Sequence, residues 1–241
     1  MKKSLFTITL ILSGLLFLNM SCKRDPEPDP EPTPNPIHIV PPGEGGTLPS
    51  VIIPDSLVGP IEDYFTVYEG LTPPSFDGQF VSHPHMLLHS TFEDDTITVF
   101  NDRYIAFFVN GDRVDFYGKQ WDDEENAYYE EAYRNLYVIG TGEGFCTYYY
   151  TDGYPNGMYA KQSTVFSGKW NAAYGGLKDF QVAVILLETS GNPNLAPAGS
   201  FRVLGDGEGL ARDTTWFSGK DASFGTVKVS DEDAFRMFRV R

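Results

Sequence analysis

Arg103-Tyr104-Ile105-Ala106-Phe107-Phe108-Val109-Asn110-Gly111-Asp112-Arg113-Val114-Asp115-Phe116-Tyr117-Gly118 is the stretch that decides the fold. Two β-favouring runs, Arg103 to Val109 and Arg113 to Gly118, flank Asn110-Gly111. That dipeptide tolerates the positive φ of a type I′ turn, so the stretch predicts a β-hairpin.

Outward from the hairpin the same punctuation repeats. Gln79 to Ser82, Met86 to Thr91 and Thr96 to Phe100 precede it as short strand-like runs. Tyr133 to Ile139 and Phe145 to Thr151 pair around the glycine-rich 140–144, and Met158 to Phe166 follows a turn at 152–157. Phe180 to Leu187 is nearly all apolar, which suits a strand covered on both faces. Phe201 to Leu204 and Phe224 to Val229 complete the set, and Ser230 to Arg241 reads as a short helix or a last strand. No long window shows the i, i+3, i+4 apolar pattern of a helix. About ten short strands, with turn signals roughly every 8 to 12 residues, predict one all-β domain. It is a single antiparallel barrel or a two-layer β-sandwich, and the consecutive hairpins favour an up-and-down barrel resembling a lipocalin. A membrane-spanning barrel is not expected, because the strands lack a repeated lipid-facing apolar band.

The N-terminal quarter is organised differently. Met1-Lys2-Lys3 is basic, Leu5 to Leu18 is apolar, and Asn19-Met20-Ser21 leads into Cys22. That is the layout of a secretory leader, too short for a comfortable transmembrane helix. Residues 25–36 alternate proline with Asp, Glu, Thr or Asn, which forbids helix and favours an extended polyproline tether. From Ile37 to Pro60, proline and glycine interrupt short apolar pieces such as Val51-Ile52-Ile53, a stretch expected to be flexible or to drape over the domain. The expected organisation is therefore a leader over 1–21, a lipidated cysteine with its tether over 22–60, and the β-domain over 61–241.

The ending Leu18-Asn19-Met20-Ser21-Cys22 resembles a lipobox, the site where bacterial lipoproteins are cut before a diacylated cysteine. Together with the acidic proline tether and the block Phe201-Arg202-Val203-Leu204-Gly205-Asp206-Gly207-Glu208-Gly209-Leu210-Ala211, it resembles uncharacterised lipoproteins of the Bacteroidetes group. The resemblance implies lipidation at Cys22, an outer-membrane location facing the periplasm or the cell surface, and no inherited catalytic residue. Charge agrees with an anchor of that kind. With 33 acidic and 18 basic residues the chain has a formal charge of −15, which disfavours nucleic acid and gives no attraction to anionic lipid. Two cysteines are present, and with Cys22 acylated, Cys146 has no intrachain partner. Cys146 is expected as a small buried residue on a strand.

Several clusters bear on chemistry. His83, His85 and His89 share strand parity and would present three imidazoles to a zinc or copper ion if 82–90 were one regular strand, but Pro84 weakens that strand. Asp206, Glu208 and Asp213 could offer oxygens to calcium, although the spacing departs from the acidic twelve-residue calcium loop and a solvated turn is the better reading. Phe166-Ser167-Gly168-Lys169 recurs as Phe217-Ser218-Gly219-Lys220, read as a repeated strand-to-turn corner rather than a nucleophile. Asp122-Asp123-Glu124-Glu125 and Glu130-Glu131 are expected in a solvated loop rather than as a glycosidase pair. Trp121, Tyr148, Tyr150, Trp170 and Trp216 are the candidate ligand-binding aromatics, with core packing as the alternative for each. No cofactor is expected. The leading expectation is a lipid-anchored, non-enzymatic binding or scaffolding domain whose ligand is a glycan or a small apolar molecule. The alternatives are a hydrolase using carboxylates or a histidine-bound metal, and a structural component of a surface assembly.

Overall fold

A computed structural model describes residues 37–92, 95, 98–123, 126–216 and 235. The strands are β1 (Ile37–His38), β2 (Leu71–Thr72), β3 (Asp77–Ser82), β4 (His85–Ser90), β5 (Val99–Phe100), β6 (Arg103–Asn110) and β7 (Arg113–Asp122). They continue as β8 (Ala127–Thr141), β9 (Gly144–Gly153), β10 (Ala160–Asn171), β11 (Gly176–Glu188), β12 (Phe201–Asp206) and β13 (Leu210–Asp213). One helix, α1 (Asp55–Glu62), precedes the barrel strands.

Of the two expected architectures the barrel forms. Its wall runs β9-β8-β7-β6-β3-β13-β11-β10 and returns to β9, a closed antiparallel ring of eight strands. The deciding hairpin is present, with Asn110 paired to Arg113 and Arg103 to Gln120. Its turn differs in detail. The two loop residues are Gly111 and Asp112, and of these only Gly111 has positive φ, +66°, the pattern of a type II′ turn rather than type I′. Pairing Asn110 within the ladder moves the glycine to the first turn position, where no Cβ obstructs it.

Three wall strands bend at one level, which is why the chain holds more strands than the ring. β3 and β4 flank the cis peptide His83-Pro84, β5 and β6 flank Asn101-Asp102, and β12 and β13 flank Gly207-Glu208-Gly209. β11 spans the bend, pairing β13 through Gly176–Lys178 and β12 through Gln181–Ile185 on the same edge. β12 in turn pairs β4, which pairs β5. The Asp206 carboxylate fastens this corner. It accepts backbone N–H bonds from His83 at 2.8 Å, Glu208 at 3.0 Å and Leu210 at 2.9 Å, while Gly207 N–H donates to Pro84 O at 2.9 Å.

The interior is filled with rings. Phe76, Phe80, Phe107, Phe116, Phe145, Phe166 and Phe180 share one cluster with inward aliphatics such as Ile105, Val114, Leu136, Val138, Leu177 and Val182. Phe116 lies 4.4 Å from Phe166 and 5.3 Å from Phe107, centroid to centroid. A bulge at Asn135 (φ +57°) lets both Tyr133 and Leu136 point inward, a shift that strict alternation misses.

The segment before the barrel drapes over its outer face. Ile52, Ile53, Ile61 and Phe65 pack on Ile139, Cys146, Tyr148, Val165, Ala183, Ile185, Phe201 and Val203. Ser163 Oγ donates to Ile52 O at 2.6 Å, Thr66 N–H to Gln181 Oε1 at 2.9 Å, and Tyr68 N–H to Cys146 Sγ at 3.2 Å. Cys146 is the buried strand residue expected, and burial pushes its thiol up to about 12. The expected strand at 224–229 and the element at 230–241 lie outside the described residues, apart from Phe235, which is buried in the interior cluster.

Two substitutions test this architecture. Phe116→Ala should cost about 3–5 kcal/mol in urea unfolding through the cavity it leaves. Asp206→Ala should cost about 3 kcal/mol, because three backbone donors lose a charged acceptor; an unchanged midpoint would show that the corner does not hold the barrel.

Candidate functional site

The three histidines are not brought together. His83 is on the surface, its Nδ1 2.7 Å from Asp102, and that hydrogen bond raises its pKa. His85 is fully buried, with Nδ1 3.0 Å from Ser82 Oγ, while its Nε2 has no partner. His89 stacks on Tyr64 at 3.6 Å and packs near Phe201 on the outer face. The proline corner separates His83 from His85, and the bulge opposite Val203-Leu204 reverses the facing of His89. Among the described residues no group of three His, Cys, Asp or Glu side chains is placed to hold a metal ion. Burial and the nearby Arg103 charge push His85 down to about 3, which leaves a feeble base for a nucleophile such as Ser82.

The other clusters resolve into structural roles. Asp206 is committed to backbone donors, and the nearby Glu208 faces Arg212 at 2.7 Å. Ser167 Oγ donates to the Thr66 carbonyl of the draped segment. Lys169 Nζ reaches Asp179 at 3.3 Å, a hydrogen bond that raises its pKa, opposite to nucleophile activation. Its repeat at 217–220 lies outside the described residues. The carboxylates Glu130 and Glu131 are not in a loop. They lie on β8, which extends back to Ala127, and Glu131 is buried. Glu124 and Glu125 lie outside the described residues.

The five candidate aromatics divide among three places. Trp170 stacks on Phe76 at 5.8 Å in the interior. Tyr148 is fully buried beneath the draped segment, and Tyr150 beside it stacks on His38 at 4.4 Å. Trp121 and Trp216 both lie on the outer face of β6, β7 and β8. Tyr104 pairs with Lys119, Lys119 with Glu130, and Trp121 with Tyr128 across these strands, so period-two alternation sends all of them outward. Trp216 stacks on Tyr117 at 5.4 Å and lies 5.9 Å from Tyr104, while Trp121 meets Tyr128 edge-on at 5.1 Å. Trp216 is held by its backbone N–H, which donates to Gln79 Oε1 at 3.1 Å, and by its indole N–H, which donates to Ile105 O at 3.4 Å.

Lys119 stands in the middle of these rings. Its Nζ lies 4.8 Å from the Tyr128 centroid, 4.9 Å from Trp216 and 5.4 Å from Tyr104. Tyr117 O–H donates to Glu130 Oε2 at 3.1 Å, and burial together with that carboxylate pushes the phenol up to about 12. Tyr128 is 50% exposed and Glu130 is exposed, while Tyr104, Tyr117, Lys119, Trp121 and Trp216 are half-buried, so the platform offers partly exposed rings beside a cation and a carboxylate. Sequence reasoning missed Tyr104, Tyr117, Lys119 and Tyr128. The hairpin register extended by alternation could have found the first three.

A second polar feature lies inside the barrel. Arg103 pairs with Glu131, whose other oxygen accepts from Tyr149 O–H at 3.3 Å. Gln120 Nε2 donates to Asn101 O at 2.7 Å. No protein-family model matches the chain, and comparisons with curated proteins and with solved structures return no match.

The buried imidazole makes stability depend on pH. The unfolded His85 takes a proton below its ordinary 6.5, whereas the folded one does so only near 3. The unfolded state therefore binds more protons in that window, and stability falls as pH drops from 6.5 toward 3. Between pH 7 and 5 the loss assignable to His85 is about 2 kcal/mol, and His85→Gln should remove that share of the urea-measured difference.

Proposed function

We propose that the protein is an outer-membrane-anchored lipoprotein that displays a glycan-binding β-barrel. The observation that carries the glycan reading is the outer platform of Trp216, Tyr117, Tyr104, Trp121 and Tyr128 around Lys119. Sugar rings carry apolar C–H faces and polar rims, and a surface of partly exposed rings beside hydrogen-bonding groups is complementary to both. The reading with a small apolar ligand inside the barrel is weaker, because Phe107, Phe116, Phe145 and Phe166 occupy the apolar interior. The hydrolase reading loses its metal ligands with the dispersal of the three histidines.

The anchor part of the proposal rests on the leader, the lipobox-like Cys22 and the acidic proline tether of residues 25–36. Diacylation at Cys22 supplies more than one chain, the condition for stable attachment. Among the described residues no helix is long and apolar enough to cross a membrane.

Screening the purified chain on a glycan array should give a saturable hit, and Trp216→Ala or Tyr128→Ala should weaken it about tenfold or more with the fold intact by circular dichroism. A blank array, or binding indifferent to both variants, would leave the structural surface-assembly reading in its place. Cys22→Ala should move the protein from the membrane fraction to the soluble fraction of expressing cells; continued membrane association would remove the lipid anchor.

A further inference from the structure

Stacking alone does not account for Lys119 on the outer platform. The residue is half-buried on β7, and its Nζ lies 4.8 Å from the Tyr128 centroid, 4.9 Å from Trp216 and 5.4 Å from Tyr104. The carboxylate directly opposite it across the ladder is Glu130 on β8. That carboxylate is engaged elsewhere, since its Oε2 accepts the Tyr117 O–H at 3.1 Å. Among the described residues Lys119 makes no ion pair with Glu130 or with any other acid, whereas Arg103, Lys169, Arg202 and Arg212 each hold one.

This placement constrains what can cover the platform. Ring faces attract a cation, but an ammonium also carries three N–H donors and no acceptor. Facing solvent, those donors are hydrated. A sugar laid against Trp216 and Tyr128 covers Lys119 as well, because both rings adjoin it. The sugar's C–H face would strip water from the ammonium and give nothing back, and a charge desolvated without a partner is strongly unfavourable. A ligand that stacks here must therefore bring an acceptor to Lys119. A carboxylate answers both the charge and the donors, through a short charge-assisted hydrogen bond.

We propose that the glycan received by this platform contains a uronic acid, a sugar whose C6 is a carboxylate, and that Lys119 binds that carboxylate while Trp216 and Tyr128 pack on the sugar ring. The inference deepens the glycan reading and rests on it. The number of carboxylates follows from charge. Lys119 supplies a single positive charge, and the chain as a whole carries −15. At physiological ionic strength that larger charge is screened beyond about 8 Å. One carboxylate in contact with Lys119 meets its partner at close range, whereas a polyanion would meet the acidic chain along its whole length. The ligand is thus a largely neutral glycan with an isolated uronic acid.

The test titrates the purified full chain, by NMR, with the methyl glycosides of D-glucuronic, D-galacturonic and D-mannuronic acid, each against the methyl glycoside of its neutral parent hexose. At least one acid should bind about tenfold tighter than its parent sugar. Lys119→Met keeps the length of the side chain and removes its charge; it should bring that acid down to the level of the parent sugar, with the neutral sugar bound at least as well as before. Should that variant fail to fold by circular dichroism, Lys119→Gln is read in the same way. Trp216→Ala should weaken acid and parent sugar together. Equal binding of acid and parent, both weakened by Trp216→Ala, would overturn the uronic-acid inference and leave the glycan platform standing. A preference for the acid that survives Lys119→Met or is indifferent to Trp216→Ala would overturn it as well. No binding of any of the six sugars would overturn it together with the glycan reading.

Discussion

Closure of the β-ladder is the constraint on which the rest depends. A sheet whose last strand pairs with its first has no free wall edge, and every residue along the wall must then face either a crowded interior or the outside. Here the closing contact is short, through β13 between β3 and β11. It is reinforced where the chain bends, since Asp206 gathers three backbone donors from both sides of the corner. β11 runs straight past that corner and keeps the barrel wall and the β12-β4-β5 extension in one ladder.

Once faces are assigned, the abundant aromatics separate by parity alone. On β7, Phe116 and Gly118 turn inward while Tyr117, Lys119 and Trp121 turn outward. The inward set makes an aromatic core in which rings meet at 4.4 to 6.1 Å. The outward set makes the platform on which the glycan reading rests. A third set, Tyr148 and Tyr150 on β9, faces outward as well but is covered by the segment carrying α1. The same residue type therefore serves three purposes, and the strand face together with what lies over it decides among them.

The interior is not uniform along its length. Arg103 and Glu131 sit inside the barrel as an ion pair, a costly arrangement unless further hydrogen bonds complete it. Tyr149 supplies one of these to Glu131. The carboxylate also packs closely against β7, where a Cβ at Gly118 would stand 2.8 Å from Glu131 Oε1. A larger residue at that position would push the buried charge away from its partner.

By itself the sequence determined the class of structure, the central hairpin, the buried nature of Cys146 and the compositional contrast between the proline-rich 25–36 and the β-favouring runs that follow. These follow from local rules: turn chemistry at Asn110-Gly111, proline at every second position over 25–36, and runs of β-branched and aromatic residues. It also pointed to Trp121 and Trp216. Only the tertiary structure decided that Trp121 and Trp216 share a surface while Tyr148 is buried and Trp170 packs half-buried against the interior, that Glu131 is buried opposite Arg103, and that three histidines of equal parity face three different environments. The physical reason is that side-chain facing accumulates along a strand. One bulge at Asn135, one at the β4–β12 pairing or one bend at Pro84 reverses every assignment beyond it, and those irregularities are set by which strand lies alongside.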